Sequence, residues 1–285
     1  MAKGNQQRFS FEDWKKQAAD KPEYQNTLPF KTDKDMLSKS QYKNGNLGYA
    51  FNQRYYAETD KIDFNNLSSE RNETYFKAKN KEICAYKMES FEFGRLGNKS
   101  FKLTTQYPGL TLGLGYGHGI KALGEFKLGF SFDYTSGLPI IPASTVKGML
   151  RSAFPCKKIH KKPTFVEEKT LYISQIVGGD SIDVDALEKE IFEGKDVFFD
   201  AVIDSKHQGK RIVGDDSITP HGSNPLRNPT PLLFLKILPK ITILFDFELH
   251  NGSITPDQKL ELFKQIIIDL GIGAKTNVGY GRLSE

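Results

Sequence analysis

Two stretches of strict alternation constrain this chain most. Ile241, Ile243, Phe245, Phe247 and Leu249 are interleaved with Thr242, Leu244, Asp246 and Glu248. Phe126, Leu128, Phe130, Phe132 and Tyr134 are interleaved with Lys127, Gly129, Ser131 and Asp133. Successive side chains on a strand point to opposite faces, so each stretch predicts a strand with one buried face. A third apolar run, Leu232 to Leu238, is separated from the first stretch by Pro239-Lys240, and the two predict a hairpin. Elsewhere the period is helical. Val146, Met149, Leu150 and Ala153 fall at i, i+3, i+4 and i+7 behind a start at Pro142-Ala143-Ser144-Thr145. Phe263, Ile266, Ile267 and Leu270 form the apolar face of a second helix. Thr255 at its N-cap, Pro256 at N1 and Gln258 make a capping box, and Gly271 stops it.

Strands and helices thus mix without the regular alternation of a doubly wound sheet. The pattern predicts an α+β fold with helices on one face of a mainly antiparallel sheet, of which the ferredoxin-like βαββαβ unit is the commonest form. Residues 155–195 are charged, break the β pattern and read as an insertion. Residues 1–88 are rich in Lys, Asn, Gln, Tyr and Asp and have only short apolar stretches. They predict a helical and irregular N-terminal arm, with Ser10 capping a helix through Phe11–Trp14 and a second helix through Phe76–Lys79. Residues 89–285 then form the α+β domain.

Composition narrows the function. With 38% hydrophobic and 26% charged residues, the 285-residue chain can bury a core. Two cysteines exclude a disulfide scaffold and Cys-based zinc motifs. No apolar run approaches the ~20 residues of a membrane span. Met1-Ala2-Lys3-Gly4-Asn5 leads into no apolar signal segment, so a cytoplasmic location is expected. The net charge of +5 leaves nucleic acid open as a partner and decides nothing alone.

Three motifs carry candidate chemistry. Gly271-Ile272-Gly273-Ala274-Lys275-Thr276-Asn277-Val278-Gly279-Tyr280-Gly281-Arg282 places four glycines and two cations directly after a helix. Glycine lets a backbone approach a ligand closely, and exposed N–H groups with Lys275 and Arg282 suit a phosphodiester. It is not a P-loop, because Ala274 precedes Lys275 and a helix comes first. In the second motif, Ser144 and Thr145 open a helix whose free N–H groups favour an anion, and Lys147 and Arg151 share one face. Read alone, that face fits an ordinary solvated one better. The third, Tyr107 to Gly119, is glycine-rich and holds His118, whose near-neutral pKa suits either a general base or a hydrogen-bonding residue.

Other constellations fail. His118, His160, His207, His221 and His250 include no pair with helical ligand spacing, and neither a metal nor a cofactor is predicted. Gly178-Gly179-Asp180-Ser181 and Gly214-Asp215-Asp216 read as plain turns with solvated carboxylates.

Together the motifs resemble the RAMP superfamily of CRISPR effector complexes, and within it the Cmr-type subunits of type III-B complexes. Ile141 to Arg151 is similar to the family's Ile-Pro-Gly-Ser-Ser-x-Lys-Gly-x-x-Arg signature, with Ala143 in place of its glycine. Gly271 to Arg282 is similar to its terminal glycine-rich loop. Phe198-Phe199-Asp200-Ala201 resembles a family strand. Asp216 to Leu235 resembles its Asp-x-x-Thr-Pro-His stretch, and Asn46-Leu47-Gly48 a short N-terminal motif. The resemblance implies a ferredoxin-like (RRM-like) palm with a thumb-like insertion. It implies guide RNA and target RNA as partners, together with the backbone, small helical and first Cmr subunits. It also implies a place capping the filament near the 3′ end of the guide RNA. The RNA-binding residues would be Ser144, Thr145, Lys147, Arg151, Gly271, Gly273, Lys275, Thr276, Gly279, Tyr280, Gly281, Arg282 and His118. Filament-forming relatives cut target RNA with an aspartate after the first strand. Here Phe101 to Phe132 holds no aspartate and Glu125 as its only acid, which implies a non-catalytic scaffold. The rival is a metal-independent, guide-processing endoribonuclease of the same superfamily with His118 and Tyr116 as base and acid. A third reading is an RNA-binding module outside CRISPR.

Overall fold

The computed structural model describes residues 45–89, 91–113, 118–155, 163–179, 182–219 and 231–285. In chain order these form α1 (Leu47–Asn52), α2 (Glu70–Cys84), β1 (Lys99–Thr105), β2 (Ile140–Ile141), α3 (Ala143–Ser152), α4 (Pro163–Val177) and α5 (Val184–Glu193). They continue as β3 (Val197–Phe198), β4 (Ala201–Ile203), β5 (Val213–Ile218), β6 (Leu232–Ile237), β7 (Thr242–Glu248), α6 (Pro256–Leu270) and β8 (Leu283–Ser284). All belong to one compact unit, Asn44–Glu285.

The alternating stretch at 241–249 becomes β7, the middle of the main sheet. The order is β2-β4-β7-β1-β8, every pair antiparallel, with β3 sharing the β4 edge of β7. Phe101 faces Phe245 and Leu103 faces Ile243 across β1 and β7. Ile243, Phe245 and Phe247 are buried, as their alternation predicts. Asp246, on the other face, is buried too, because its carboxylate accepts from the backbone N–H groups of Leu96 and Gly97 at 2.7 and 3.0 Å. The fold is α+β with a mainly antiparallel sheet.

The expected hairpin does not form. β6 pairs with β5 in a separate two-stranded sheet, from Val213↔Ile237 to Ile218↔Leu232. Both edges of β7 are already taken, by β1 on one side and by β3 and β4 on the other. Local alternation identifies a strand and leaves its partner open. The stretch from Phe126 to Tyr134 is extended chain rather than a ladder strand. It makes isolated bridges, Leu128↔Phe234 and Phe132↔Pro139. Phe126 and Phe130 are nevertheless fully buried.

α6 carries the full capping box, with Thr255 Oγ1 accepting from the Gln258 N–H and the Gln258 side chain from the Thr255 N–H. Phe263 packs 5.3 Å from the Phe247 ring and 5.6 Å from that of Phe198. Leu270, expected on the apolar face, is exposed because it lies in the last turn, beyond the sheet. Val146 and Leu150 bury the inner side of α3.

The expected helix at Phe76–Lys79 is part of α2, whereas Phe11–Trp14 lies outside the described residues. Leu47, Phe51, Tyr55 and Phe76 are fully buried in the same apolar cluster as the sheet residues. Between β2 and β3 the insertion supplies α4 and α5. Among the described residues, no helix is long and apolar enough to cross a membrane.

Candidate nucleic-acid interface

The glycine-rich segment leaves α6 and runs into β8. Its glycines answer first to backbone packing. Gly281 has φ 71°, and a Cβ there would lie 1.9 Å from the Ile272 carbonyl oxygen. A Cβ on Gly273, φ 94°, would lie 2.5 Å from the Thr111 carbonyl oxygen. The segment is stitched down by N–H donation from Ile272 to Gly281, Gly281 to Gly109 and Ala274 to Thr111, at 2.9, 2.8 and 2.7 Å. The buried Gly271 and the half-buried Gly279 also take positive φ. Lys275 sits at the outer turn in the left-handed region, before a 3-10 turn from Thr276 to Val278. Its Nζ lies 5.9 Å from the Phe234 ring centre, and it forms no ion pair among the described residues.

Tyr280 is an anchor rather than a free ring. It is buried, and its hydroxyl donates to Asp216 Oδ2 at 2.6 Å. Lys236 Nζ donates to the same oxygen at 2.6 Å. Burial pushes the Asp216 carboxyl up, but the hydrogen bonds from Lys236 and Tyr280 outweigh it and hold the group below the usual carboxylate range. Burial and that same carboxylate push the Tyr280 phenol up, so it stays a neutral donor. Gly214-Asp215-Asp216 is therefore not a turn with a solvated carboxylate. It lies within β5 and ties the β5–β6 ribbon to the glycine-rich segment. Asp180 and Ser181 of the other acidic motif lie outside the described residues.

The start of α3 is already occupied. Asp200 Oδ1 accepts from the Ala143 N–H at 2.6 Å, so a carboxylate from the turn between β3 and β4 fills the first position an anion would take. Ser144 is exposed and Thr145 half-buried. The two cations on the outer face differ. Lys147 Nζ stands 5.4 Å from the Phe198 ring centre, without an ion pair among the described residues. Arg151 is held between two carboxylates of α5, Nε 2.8 Å from Glu188 and Nη2 2.7 Å from Glu193. Arg282 donates from Nη1 to the Asp269 carbonyl at 2.6 Å, near the end of α6, and keeps its charge.

α3 starts directly after β2, and the glycine-rich segment ends at β8. Those strands are the opposite edges of the main sheet, four strand spacings or roughly 19 Å apart. Lys147 and Lys275 thus belong to segments at opposite edges of the sheet rather than to one cradle.

His118 sits apart from both. Its ring stacks on Phe51 and Tyr55, with centroids 4.1 and 4.0 Å away, and its Nε2 is 2.8 Å from the Phe51 carbonyl. Burial pushes its pKa down, so the ring is neutral and donates to that carbonyl. Tyr116, His221 and the Asn228-Pro229-Thr230 stretch lie outside the described residues. Among the described residues no cluster of His, Cys, Asp and Glu can hold a metal ion. Sequence reasoning missed Asp200 as the cap of α3 and Lys236 as the partner of Asp216. Only the first had a signal, the aspartate inside Phe198-Phe199-Asp200-Ala201.

The RAMP superfamily model matches residues 102–284. Two curated relatives are Cmr6 subunits of CRISPR systems. That of Pyrococcus furiosus is 32% identical over 107 residues, 33% of this chain and 31% of that protein. That of Saccharolobus solfataricus is 29% identical over 159 residues, 54% of this chain and 48% of that protein. The chain thus spans under half the length of these relatives. Among solved structures, a chain of the type III-B Cmr-beta complex bound to cognate target RNA shares the fold, with TM-score 0.51 and 21% identity over 87% of this chain and 93% of that one. The match runs through the α3 signature, the Asp200 cap and the glycine-rich segment alike, and the chain belongs to the RAMP superfamily.

Proposed function

We propose that this chain is a non-catalytic, RNA-binding scaffold subunit of a type III-B CRISPR (Cmr) effector complex. It works in the cytoplasm, caps the filament near the 3′ end of the guide RNA and supports antiviral RNA targeting. The observation that carries the reading is the match to two curated relatives that are both Cmr6 subunits. Its partners are guide RNA, target RNA and the backbone, small helical and first Cmr subunits.

The sheet supports a ferredoxin-like, RRM-like palm. Strands β8-β1-β7-β4 are neighbours in that order, with α3 between β1 and β4 in sequence and α6 between β7 and β8, which follows the βαββαβ scheme. Inserted after α3, α4 and α5 form the thumb-like region, and residues 1–88 are the N-terminal extension. Lys147 with Ser144 and Thr145 grips RNA phosphate at one sheet edge. Lys275, Thr276 and Arg282 grip it at the other. Gly271, Gly273, Gly279, Gly281 and Tyr280 shape the second grip, and Arg151 shapes the first through α5.

A scaffold role is supported by Glu125, the only acid between Phe101 and Phe132. It is 1% exposed and accepts from the Tyr56 hydroxyl, the Ala122 N–H and Lys127. The place of His118 weakens the endoribonuclease rival, since its Nε2 is committed to the Phe51 carbonyl. Gentle affinity purification from the native host tests the reading. Recovery of other Cmr subunits with a short RNA bearing a repeat-derived 5′ tag is expected. Recovery of the chain alone, or with unprocessed repeat RNA whose cleavage His118→Ala abolishes, would favour the rival.

A further inference from the structure

A cleft beside α1 includes no residue of the α3 or glycine-rich motif in its lining. The outer side of α1, the stretch 131–134 and His118 enclose about 830 Å³. Its two rims are fastened together. Asn46 Oδ1 accepts from the Tyr49 N–H at 2.7 Å while its Nδ2 donates to the Tyr134 carbonyl at 3.4 Å, and the Gly48 N–H donates to the Gly137 carbonyl at 3.1 Å. Gly48 lets α1 lie against the opposite rim, because a Cβ there would sit 2.8 Å from Phe132 Cβ. The cleft is therefore preformed.

Its lining is unusual in three respects. Tyr49 and Tyr134 are left in solvent, 49% and 96% exposed. The carboxamides of Asn52 and Gln53 face the same cleft and make no hydrogen bond among the described residues. No Lys or Arg lines it among those residues, and the carboxylate of Asp133 is already engaged by the Ser136 N–H and hydroxyl at 2.6 and 2.7 Å. A phosphate finds no cation here. A flat, neutral group with hydrogen-bonding edges matches the lining, since tyrosine faces stack on it and carboxamides present a donor and an acceptor side by side. An apolar protein segment would leave those carboxamides unpaired.

The geometry points to this cleft as a pocket for one unstacked RNA base, with Tyr134 and Tyr49 as stacking surfaces and Asn52 and Gln53 reading its edge. The inference rests on the RNA-binding reading above and adds to it a site that holds base rather than phosphate.

The test uses the full chain with a labelled single-stranded RNA and with a duplex of the same sequence. Tyr134→Ala removes a solvent-exposed ring and leaves the core intact. It is expected to weaken single-strand binding roughly tenfold. Duplex binding and the dependence of log affinity on log salt stay unchanged, because no phosphate contact is lost. Tyr134→Phe keeps wild-type affinity. Unchanged single-strand binding in both Tyr134→Ala and Tyr49→Ala overturns the pocket, as does an equal loss on duplex. Intact RNA binding with loss of co-purifying subunits assigns the cleft to a protein instead. A wild-type chain with no affinity for RNA sinks the RNA reading and this inference together. A wild-type chain that binds normally, beside variants that do too, sinks the pocket alone.

Discussion

The salt dependence of RNA affinity reports how many cations of this chain reach phosphate. Each phosphate neutralised on a single strand contributes a slope of about −0.7 in log affinity against log salt. Four motif cations, Lys147, Arg151, Lys275 and Arg282, would together give roughly −2.8. The structure removes one of them. Glu188 and Glu193 neutralise Arg151 at 2.8 and 2.7 Å, while Arg282 bonds a backbone carbonyl and keeps its charge. The expected slope is roughly −2.1. Lys275→Gln and Lys147→Gln should each flatten it by about 0.7 with little change in sequence preference. Arg151→Gln should leave the slope alone and lower stability by about 1.5–3 kcal/mol, since the largely buried Glu188 loses a charged hydrogen bond. Fluorescence anisotropy with a labelled single strand over about 50–200 mM salt reads the slope, and urea melts of the same variants read stability. An unmoved slope in Lys275→Gln would refute the placement of the glycine-rich segment on phosphate. A flattening in Arg151→Gln as large as in Lys275→Gln would refute the neutralised arginine, because its ion pairs would then have to open on RNA.

Lys259 on α6 is 1% exposed, with Nζ 2.7 Å from Asp196, 3.0 Å from Glu190 and 2.9 Å from the His250 carbonyl. Lys259→Met strands the buried Asp196 carboxylate and should cost about 3–5 kcal/mol in urea unfolding; adding Asp196→Asn should recover much of it. Gly279→Ala meets only the left-handed backbone penalty, about 1–2 kcal/mol, since a Cβ there comes no nearer than 3.6 Å to Pro108. Gly281→Ala adds overlap with the Ile272 carbonyl, and thermal melts should rank it well below Gly279→Ala. His207 is buried, and its Nε2 accepts from the Thr242 N–H at 2.8 Å, so the folded state needs it neutral. Burial, with Lys206 and Lys210 nearby, holds its pKa below the ordinary 6.5, and burial lowers that of His118 likewise. The unfolded chain therefore takes up these protons first. Their contribution is fully present above about pH 6.5 and is lost as pH falls below it, through the folded values. Urea midpoints should drop from pH 7.5 to 5.5, and less in His207→Gln.

Much of the fold was legible because its signals are local. The capping box at Thr255-Pro256-Asp257-Gln258 and the period of α3 name their helices without help from the rest of the chain. The alternation in β7 named its buried face. The partner of β6 was not legible, since pairing depends on which strand edges other segments have already taken. The same limit governs the site. The glycines and cations near residues 141–151 and 271–282 stand out as residue types. Their duties depend on neighbours distant in sequence, as with Thr111 and Gly109 beneath the glycine-rich segment, Asp200 at the start of α3, and Glu188 and Glu193 around Arg151.

Sequence by itself therefore determined the fold class, the two main helices and the candidate RNA-contacting motifs, because periodicity, capping and motif spacing are properties of contiguous residues. Tertiary structure alone decided which of the motif cations are ion-paired, that the α3 and glycine-rich motifs adjoin opposite sheet edges, and that Tyr280 is an anchor. Charge neutralisation and hydrogen-bond commitment act across a few ångströms of space, and those few ångströms join residues far apart in the chain, 64 positions for Tyr280 and Asp216 and 150 for Leu96 and Asp246.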